Sequence, residues 1–302
     1  MIIDDSILTR EEKLIFSLRS LYNENGFEPY KMSKFEEYDL YAKNRDFLIS
    51  GNIISFTDCG GRLMALKPDV TLSIIKNLKD APEKLTRLYY DENVYRANKA
   101  FDGFKELRQS GVEAIGEVKK EDISNILLLA CKSLEKITED YVIDVSSLDI
   151  LGAVINYLTS NDAVANFLTK AVSEKNIHES EKICLENGVE KEKAQALSRL
   201  IGAYGKPCEV LPEIEKIASQ CNAMAAFENF KAIVEGAECE KINIDFSVVS
   251  DMNYYNGIIF NGFINTVPDS VLSGGQYDKL MKKAGKRSNA VGFAVYIDKV
   301  LG

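Results

Sequence analysis

Lys105-Glu106-Leu107-Arg108-Gln109-Ser110-Gly111-Val112-Glu113-Ala114-Ile115-Gly116 holds a long strand-like run over residues 106–115. Alternation puts Gln109, Gly111 and Glu113 on one face, with Gly111 clearing space between two polar groups. A solvent-facing strand would carry the same pattern. Glycine inside a strand costs stability, however, and often marks close approach of a ligand, so both readings stand here. A second strand-like run covers residues 85–96, and the polar stretch 97–105 joins the two.

Outward from this pair, Thr9-Arg10-Glu11-Glu12 has the form of a capping box. It opens a helix whose apolar stripe is Leu14, Leu18, Leu21 and Tyr22, closed by Asn25-Gly26. Short β-rich runs follow at 27–32, 52–56 and 63–67, with Gly60-Gly61 as a hairpin between the last two, and then a short helix at 71–78. Residues 121–138 form an amphipathic helix carrying Ile123, Leu127, Ala130, Leu134 and Ile137. From about 148 to 237 the pattern is helical, divided by turn signals at Asn187-Gly188 and Lys206-Pro207. Strand-like sequence resumes at 241–249 and 254–264, Gly274-Gly275 follows, and an apolar stretch at 291–301 closes the chain. The expected class is α+β: one core over residues 1–302, an antiparallel sheet flanked by helices and interrupted by a helical insertion at about 150–238.

Composition narrows the chemistry. Thirty-seven Lys and Arg against 46 Asp and Glu leave a net charge of −9, which argues against holding nucleic acid by bulk charge and leaves only a local basic groove open. The cluster running from Lys279 to Arg287 reads as a solvated helix face rather than an RNA site. There is one histidine and no tryptophan. A catalytic triad or a His-rich zinc site would have to use His178, which sits in an acidic stretch that reads as solvated helix. The six cysteines (59, 131, 184, 208, 221 and 239) show no metal-ligand spacing, so reduced thiols and a cytoplasmic location are expected, with neither metal nor cofactor. The acidic N-terminus is unlike a signal peptide, and no apolar run approaches the ~18 residues that span a membrane.

Three further stretches carry possible chemistry. Leu66-Lys67-Pro68-Asp69-Val70-Thr71 places a carboxylate and a hydroxyl two residues apart at a strand-to-helix junction, either as an N-cap pair or as part of a site. In Asp251-Met252-Asn253-Tyr254-Tyr255-Asn256-Gly257, strand alternation sends one tyrosine toward a site and its neighbour into packing. Ser273-Gly274-Gly275-Gln276-Tyr277-Asp278, followed by Asn289-Ala290-Val291-Gly292-Phe293-Ala294-Val295, pairs glycines beside a strand, to cradle a ligand or simply to turn the chain.

In this order, across nearly the whole chain, these stretches resemble the catalytic core of histidyl-tRNA synthetase, a class II aminoacyl-tRNA synthetase. Asp69 and Thr71 match the acidic and threonine positions of that family's Leu-Arg-Pro-Glu-Gly-Thr segment. Arg96 with Gln109-Ser-Gly-Val-Glu113 is similar to its motif 2, Tyr254-Tyr255-Asn-Gly to its Tyr-Tyr-Thr-Gly motif, Gly274-Gly275-Gln-Tyr277-Asp to Gly-Gly-Arg-Tyr-Asp, and residues 291–301 to motif 3. The departures fall on the groups that handle ATP. Ser250 stands where the family's signature arginine bridges amino-acid carboxylate and α-phosphate, which removes a fixed positive charge. In motif 3 the usual arginine is Lys299 and a glycine is Tyr296, so charge is kept there but the planar fork is lost. A motif 2 glutamate is Asn98, that loop is one residue shorter, and the motif 1 proline is Ser33. The chain stops directly after motif 3, so no anticodon-binding domain is expected, and tRNA is not an expected partner.

What remains resembles the synthetase's non-catalytic paralogues, the regulatory subunits of ATP phosphoribosyltransferase. The resemblance implies a subunit that is not an enzyme. It would be required by a short-form catalytic subunit, would sense L-histidine for feedback inhibition of histidine biosynthesis, and would form a homodimer within a larger hetero-oligomer. For a histidine ligand, Asp69, Thr71 and Gln109 would serve the ammonium, Glu113 an imidazole N–H, and the Tyr255 hydroxyl the other nitrogen. Tyr277 would close the side, and Arg96 would be the remaining partner for the carboxylate. The alternative is a synthetase-like enzyme that activates an amino acid with ATP.

Overall fold

The computed structural model describes residues 5–42, 53–98, 103–249 and 254–301. A 3-10 turn (Asp5–Ile7) leads into α1 (Arg10–Glu24), β1 (Glu28–Pro29), β2 (Phe35–Glu37), α2 (Tyr38–Ala42), β3 (Ser55–Thr57) and β4 (Leu63–Leu66). Then come α3 (Val70–Asn77), β5 (Thr86–Asn98), β6 (Gly103–Gly116), α4 (Lys120–Glu135) and β7 (Tyr141–Ser147). The helices that follow are α5 (Leu148–Leu158), α6 (Asp162–Ser173), α7 (Ile177–Glu186), α8 (Lys191–Gly202), α9 (Pro207–Gln220) and α10 (Met224–Gly236), with β8 (Tyr204–Gly205) between α8 and α9. The chain ends with β9 (Ile242–Asp245), β10 (Asn256–Ile264), β11 (Leu272–Gln276), α11 (Asp278–Lys283), β12 (Asn289–Tyr296) and α12 (Ile297–Leu301).

Local chemistry fixes several of these boundaries. The capping box forms: the Glu12 backbone donates to Thr9 Oγ1 at 3.2 Å, and the Thr9 backbone donates back to the Glu12 carboxylate at 2.9 Å. Such a cap is worth about 1 kcal/mol. The Asp58 carboxylate accepts from the backbones of Gly60 and Arg62 at 2.8 Å each, a side-chain-closed turn that joins β3 to β4. Pro207 opens α9, where its missing N–H costs nothing.

Among the described residues the main sheet has nine strands, in the order β1-β5-β6-β12-β11-β10-β7-β9-β8, and β2-β4-β3 form a separate small sheet. The main sheet is mixed rather than wholly antiparallel, because β1 pairs parallel to β5 and β7 parallel to β9. Both exceptions follow from long crossovers. The chain between β7 and β9 is the helical stretch α5–α10, and a crossover of that length returns the chain in the same direction. Strand β7 is not predicted by the sequence; Asp144 and Ser146–Ser147 dilute its apolar pattern, yet it lies centrally, beside β10. The strand expected at 27–32 shrinks to β1, that at 241–249 stops at Asp245, and that at 254–264 begins only at Asn256. Of the strand expected at 52–56, residue 52 lies outside the described residues, as does 99–102 of the expected loop.

Two cores sandwich the sheet. Val112 and Ala114 of β6 face a large core shared with α1, α4, α12 and the helices between β7 and β9. Ile115 faces the opposite way, with Leu88, Tyr90 and Val94 of β5, into a smaller core closed by α3 and α11. Gln109, Gly111 and Glu113 alternate with Val112 and so point into this second face, which is where the chemistry gathers.

Candidate functional site

Strand register sets the floor of the site. Glu113 lies opposite Leu88 on β5 and Gly292 on β12; Gly111 lies opposite Tyr90 and Ala294; Gln109 lies opposite Glu92 and Tyr296. A Cβ added at Gly292 would come within 1.9 Å of Glu113 Oε2, and one at Gly111 within 2.6 Å of the Tyr90 hydroxyl. The two glycines are therefore what let a carboxylate and a phenol lie flat on the sheet.

The walls come from helix N-termini. Asp69 caps α3, its Oδ1 accepting from the Leu72 backbone at 2.9 Å. Thr71, the second residue of α3, donates from Oγ1 to Glu113 Oε1 at 2.8 Å. Tyr277 immediately precedes α11 and donates its hydroxyl to Glu113 Oε2 at 2.6 Å. Thus both Glu113 oxygens already have a hydroxyl donor. The Tyr254 and Tyr255 rings lie 4.5 Å apart at 49°, and Tyr254 lies 6.2 Å from Tyr277. The Tyr296 and Ser273 hydroxyls are hydrogen-bonded to each other.

Asp69, Thr71, Gln109, Glu113, Tyr255 and Tyr277 all line one cavity. Arg96 does not: its Nε donates to the Pro68 carbonyl at 3.2 Å. The cavity has further walls that the sequence did not single out as ligand groups, namely Tyr90, Tyr254, Ser273, Phe293 and Tyr296. Tyr254 joins Tyr255 in the wall because both precede β10, where strand alternation does not apply. Asp69 shows that the cap and site readings of its segment are compatible, since it does both. The cavity volume is about 40 Å³, far below the ~300–1,000 Å³ of a site around a drug-sized ligand.

Burial dominates the electrostatics. It pushes Glu113 up to about 8 against the hydrogen bonds from Tyr277 and Thr71, with the charge of Asp69 adding to the rise. Burial also raises Asp69, opposed by the Leu72 backbone N–H and the charge of Arg96. Tyr90, Tyr254, Tyr255 and Tyr277 are held well above the usual phenol range by burial and keep their protons. Among the described residues lining the cavity there is no Lys or Arg. Ser250, expected at the position of the signature arginine, lies outside the described residues. Lys299 is turned elsewhere, donating to the Ser270 carbonyl at 2.9 Å. Among the described residues no cluster of three or more His, Cys, Asp or Glu is placed to hold a metal, and no helix is long and apolar enough to cross a membrane.

A family model described as histidyl-tRNA synthetase matches residues 4–300 of this chain. The chain belongs to the histidyl-tRNA synthetase family. Within the family, it is 28% identical over 302 residues to an ATP phosphoribosyltransferase regulatory subunit from Bacillus anthracis, an alignment covering 96% of this chain and 71% of the relative. Its fold is similar to that of an ATP phosphoribosyltransferase regulatory subunit/histidyl-tRNA synthetase from Bacillus halodurans, with a TM-score of 0.85, 22% identity, and coverage of 96% of this chain and 78% of that one. A chain of the ATP phosphoribosyl transferase (HisG:HisZ) complex from Thermotoga maritima is also similar, with a TM-score of 0.71, 18% identity, and coverage of 96% and 98%. In this histidyl-tRNA synthetase family member, the segments at 66–71, 109–113, 273–277 and 289–296, with Tyr254 and Tyr255, meet at the one cavity although they are spread over more than 200 residues of sequence.

Proposed function

We propose that this chain is a non-catalytic regulatory subunit of ATP phosphoribosyltransferase: a separate short-form catalytic subunit requires it, and L-histidine acts through it. One observation carries the reading. The cavity on which the family's motifs converge is lined by two buried carboxylates and, among the described residues, by no cation. A site that transfers a nucleotide needs fixed positive charge where the phosphates develop charge, and the described residues of this wall supply none. An amino acid with an ammonium and a hydrogen-bonding ring suits it better. The name borne by the Bacillus anthracis relative supports the same reading. A chain without chemistry of its own acts through contact, so a homodimer inside a larger hetero-oligomer follows, located in the cytoplasm beside the catalytic chain. We read residues 1–302 as one core, with the helices at about 150–238 as its insertion.

The test is reconstitution. Phosphoribosyl-ATP formation from ATP and phosphoribosyl pyrophosphate is measured with the short-form catalytic chain alone, this chain alone, and the two mixed, while light scattering follows assembly. Activity is expected only in the mixture, as a particle larger than either component, and L-histidine should suppress it. A catalytic chain equally active by itself would overturn the proposal. Histidine-dependent ATP–pyrophosphate exchange by this chain alone would overturn it in favour of amino-acid activation.

A further inference from the structure

We propose that Cys239 is a modification site for hydroperoxides and that Cys131 resolves it, so that mild oxidation joins the two in a reversible disulfide. The pair lies on the opposite face of the sheet from the cavity and does not depend on the reading above. Helix packing assembles it. On α4, Ser124, Cys131 and Glu135 fall on one stripe, seven and then four residues apart. Ser124 Oγ donates to the Ile233 carbonyl of α10 at 3.0 Å, and a Cβ added at Gly236 would come within 2.9 Å of that hydroxyl, so α10 lies close against the stripe. The helix ends at Gly236, and Glu238 then takes a left-handed φ of 48°, uncommon outside glycine, which turns Cys239 back onto α4. There the Cys131 thiol hydrogen-bonds to Cys239. The Tyr141 hydroxyl of β7 lies 3.9 Å from Cys239 Sγ and donates to the Glu135 carboxylate at 2.9 Å. Lys241 places its ammonium 5.8 Å from the centre of the Tyr141 ring.

The two thiols are unequal, as a sulfur nucleophile and its resolving partner need to be. Cys131 is fully buried, whereas Cys239 is half-buried. The hydrogen bond from Cys131, with another from the Lys241 backbone N–H, holds Cys239 below the usual thiol range, against its burial and the charge of Glu135. The same thiol–thiol bond, together with burial, pushes Cys131 up, so Cys131 keeps its proton. Burial also raises Cys184 and Cys221, which are sealed in the core. The Cys239 thiolate attacks a hydroperoxide oxygen: an S–O bond forms, the O–O bond breaks, and the leaving oxygen takes up a proton. The Cys131 sulfur then attacks the sulfenic sulfur. An S–S bond forms, the S–O bond breaks, and the hydroxide leaves as water with the Cys131 proton. Two electrons pass from the thiols to the peroxide, so two thiols and one hydrogen peroxide give one disulfide and two waters. A dithiol reductant reverses the bridge. The bridge closes residues 131–239, which include β7 and α5–α10, into one loop and fixes the end of that helical stretch on α4.

The experiment is peptide mapping of the intact chain, assembled with its catalytic partner where they co-purify. Equimolar hydrogen peroxide is added, the remaining thiols are alkylated at intervals, and the digest is read by mass spectrometry. A peptide cross-linked through Cys131 and Cys239 is expected, formed about tenfold faster than the exposed Cys59 or Cys208 is oxidised, and removed by dithiothreitol. The wild-type map decides without any variant: oxidation at Cys59 or Cys208 while Cys131 and Cys239 stay free overturns the proposal, as does a bridge between any other pair. In Cys131→Ser, checked for folding by its melting curve, no bridge forms and dimedone should label Cys239 several-fold more than in the wild type. Equal labelling in the two proteins would show that Cys131 does not resolve Cys239.

Discussion

Glu113 is held neutral by the same burial that makes it useful, and the energetic consequence has a definite sign. Its proton comes off at about 8 in the folded chain, against an ordinary value near 4.5 once unfolded. Between those values the unfolded state has released a proton that the folded state keeps, so stability falls as pH rises from about 4.5 to 8 and is level above. The variant Glu113→Gln keeps the shape and has no proton to lose. Wild type should lose stability relative to it across that window, by an amount on the order of a few kcal/mol. Urea midpoints at pH 5 and pH 8 measure this difference, and parallel pH profiles for the two proteins would show that Glu113 ionises normally. Thr71 and Tyr277, each donating to one Glu113 oxygen, keep the shift from being larger still.

At the scale of elements, α3 illustrates how one residue serves fold and site together. Asp69 starts the helix by accepting from Leu72, and its charge also stands in the cavity wall. Serine can keep the cap without the charge, whereas alanine keeps neither. Asp69→Ser should therefore be more stable than Asp69→Ala by about 1 kcal/mol, although both remove the same carboxylate from the cavity. Chemical denaturation of the pair decides it; equal stability would mean that the cap contributes nothing there. Elements with a local cause were legible in the sequence: the capped α1, the turn at Gly60-Gly61, α3, and the long β5 and β6 whose alternation aims Gln109 and Glu113. What depends on distant pairing was not. The parallel pairing of β1 with β5 and of β7 with β9 is set by the crossovers that join them, and the central place of β7 by its partners. Within the site, the expected pocket residues line the cavity, with the exception of Arg96, whose side chain is claimed by a carbonyl that no motif could signal. Tyr90 and Tyr296 enter the wall through register, opposite Gly111 and Gln109, and register is not visible before the strands are paired.

For the molecule as a whole, the question is whether the helices between β7 and β9 fold with the sheet or apart from it. One continuous apolar core runs from Leu14 on α1 through Leu127 on α4 and Phe230 on α10 to Val300 on α12. Polar ties cross the same boundary: Ser124 Oγ on α4 donates to the Ile233 carbonyl on α10 at 3.0 Å, and Lys175, between α6 and α7, pairs with Asp245 on β9 at 2.7 Å. Helix α10 thus packs on α4 and α5 on β10, while α6, α7 and α8 pack on their neighbours within the helical stretch. Cooperativity should follow, with insertion and sheet melting in a single calorimetric transition at fixed protein concentration. A ligand held by the cavity stabilises whatever melts with it. At about a hundred times its Kd it adds ~2.7 kcal/mol, and because the unit includes the insertion, the entire transition should move up by several degrees. Scanning calorimetry with and without L-histidine tests both statements. Two resolved transitions, with only one responding to ligand, would mean that α5–α10 form a unit of their own and that the shared core seen at α4 and α10 is a docking face between two bodies.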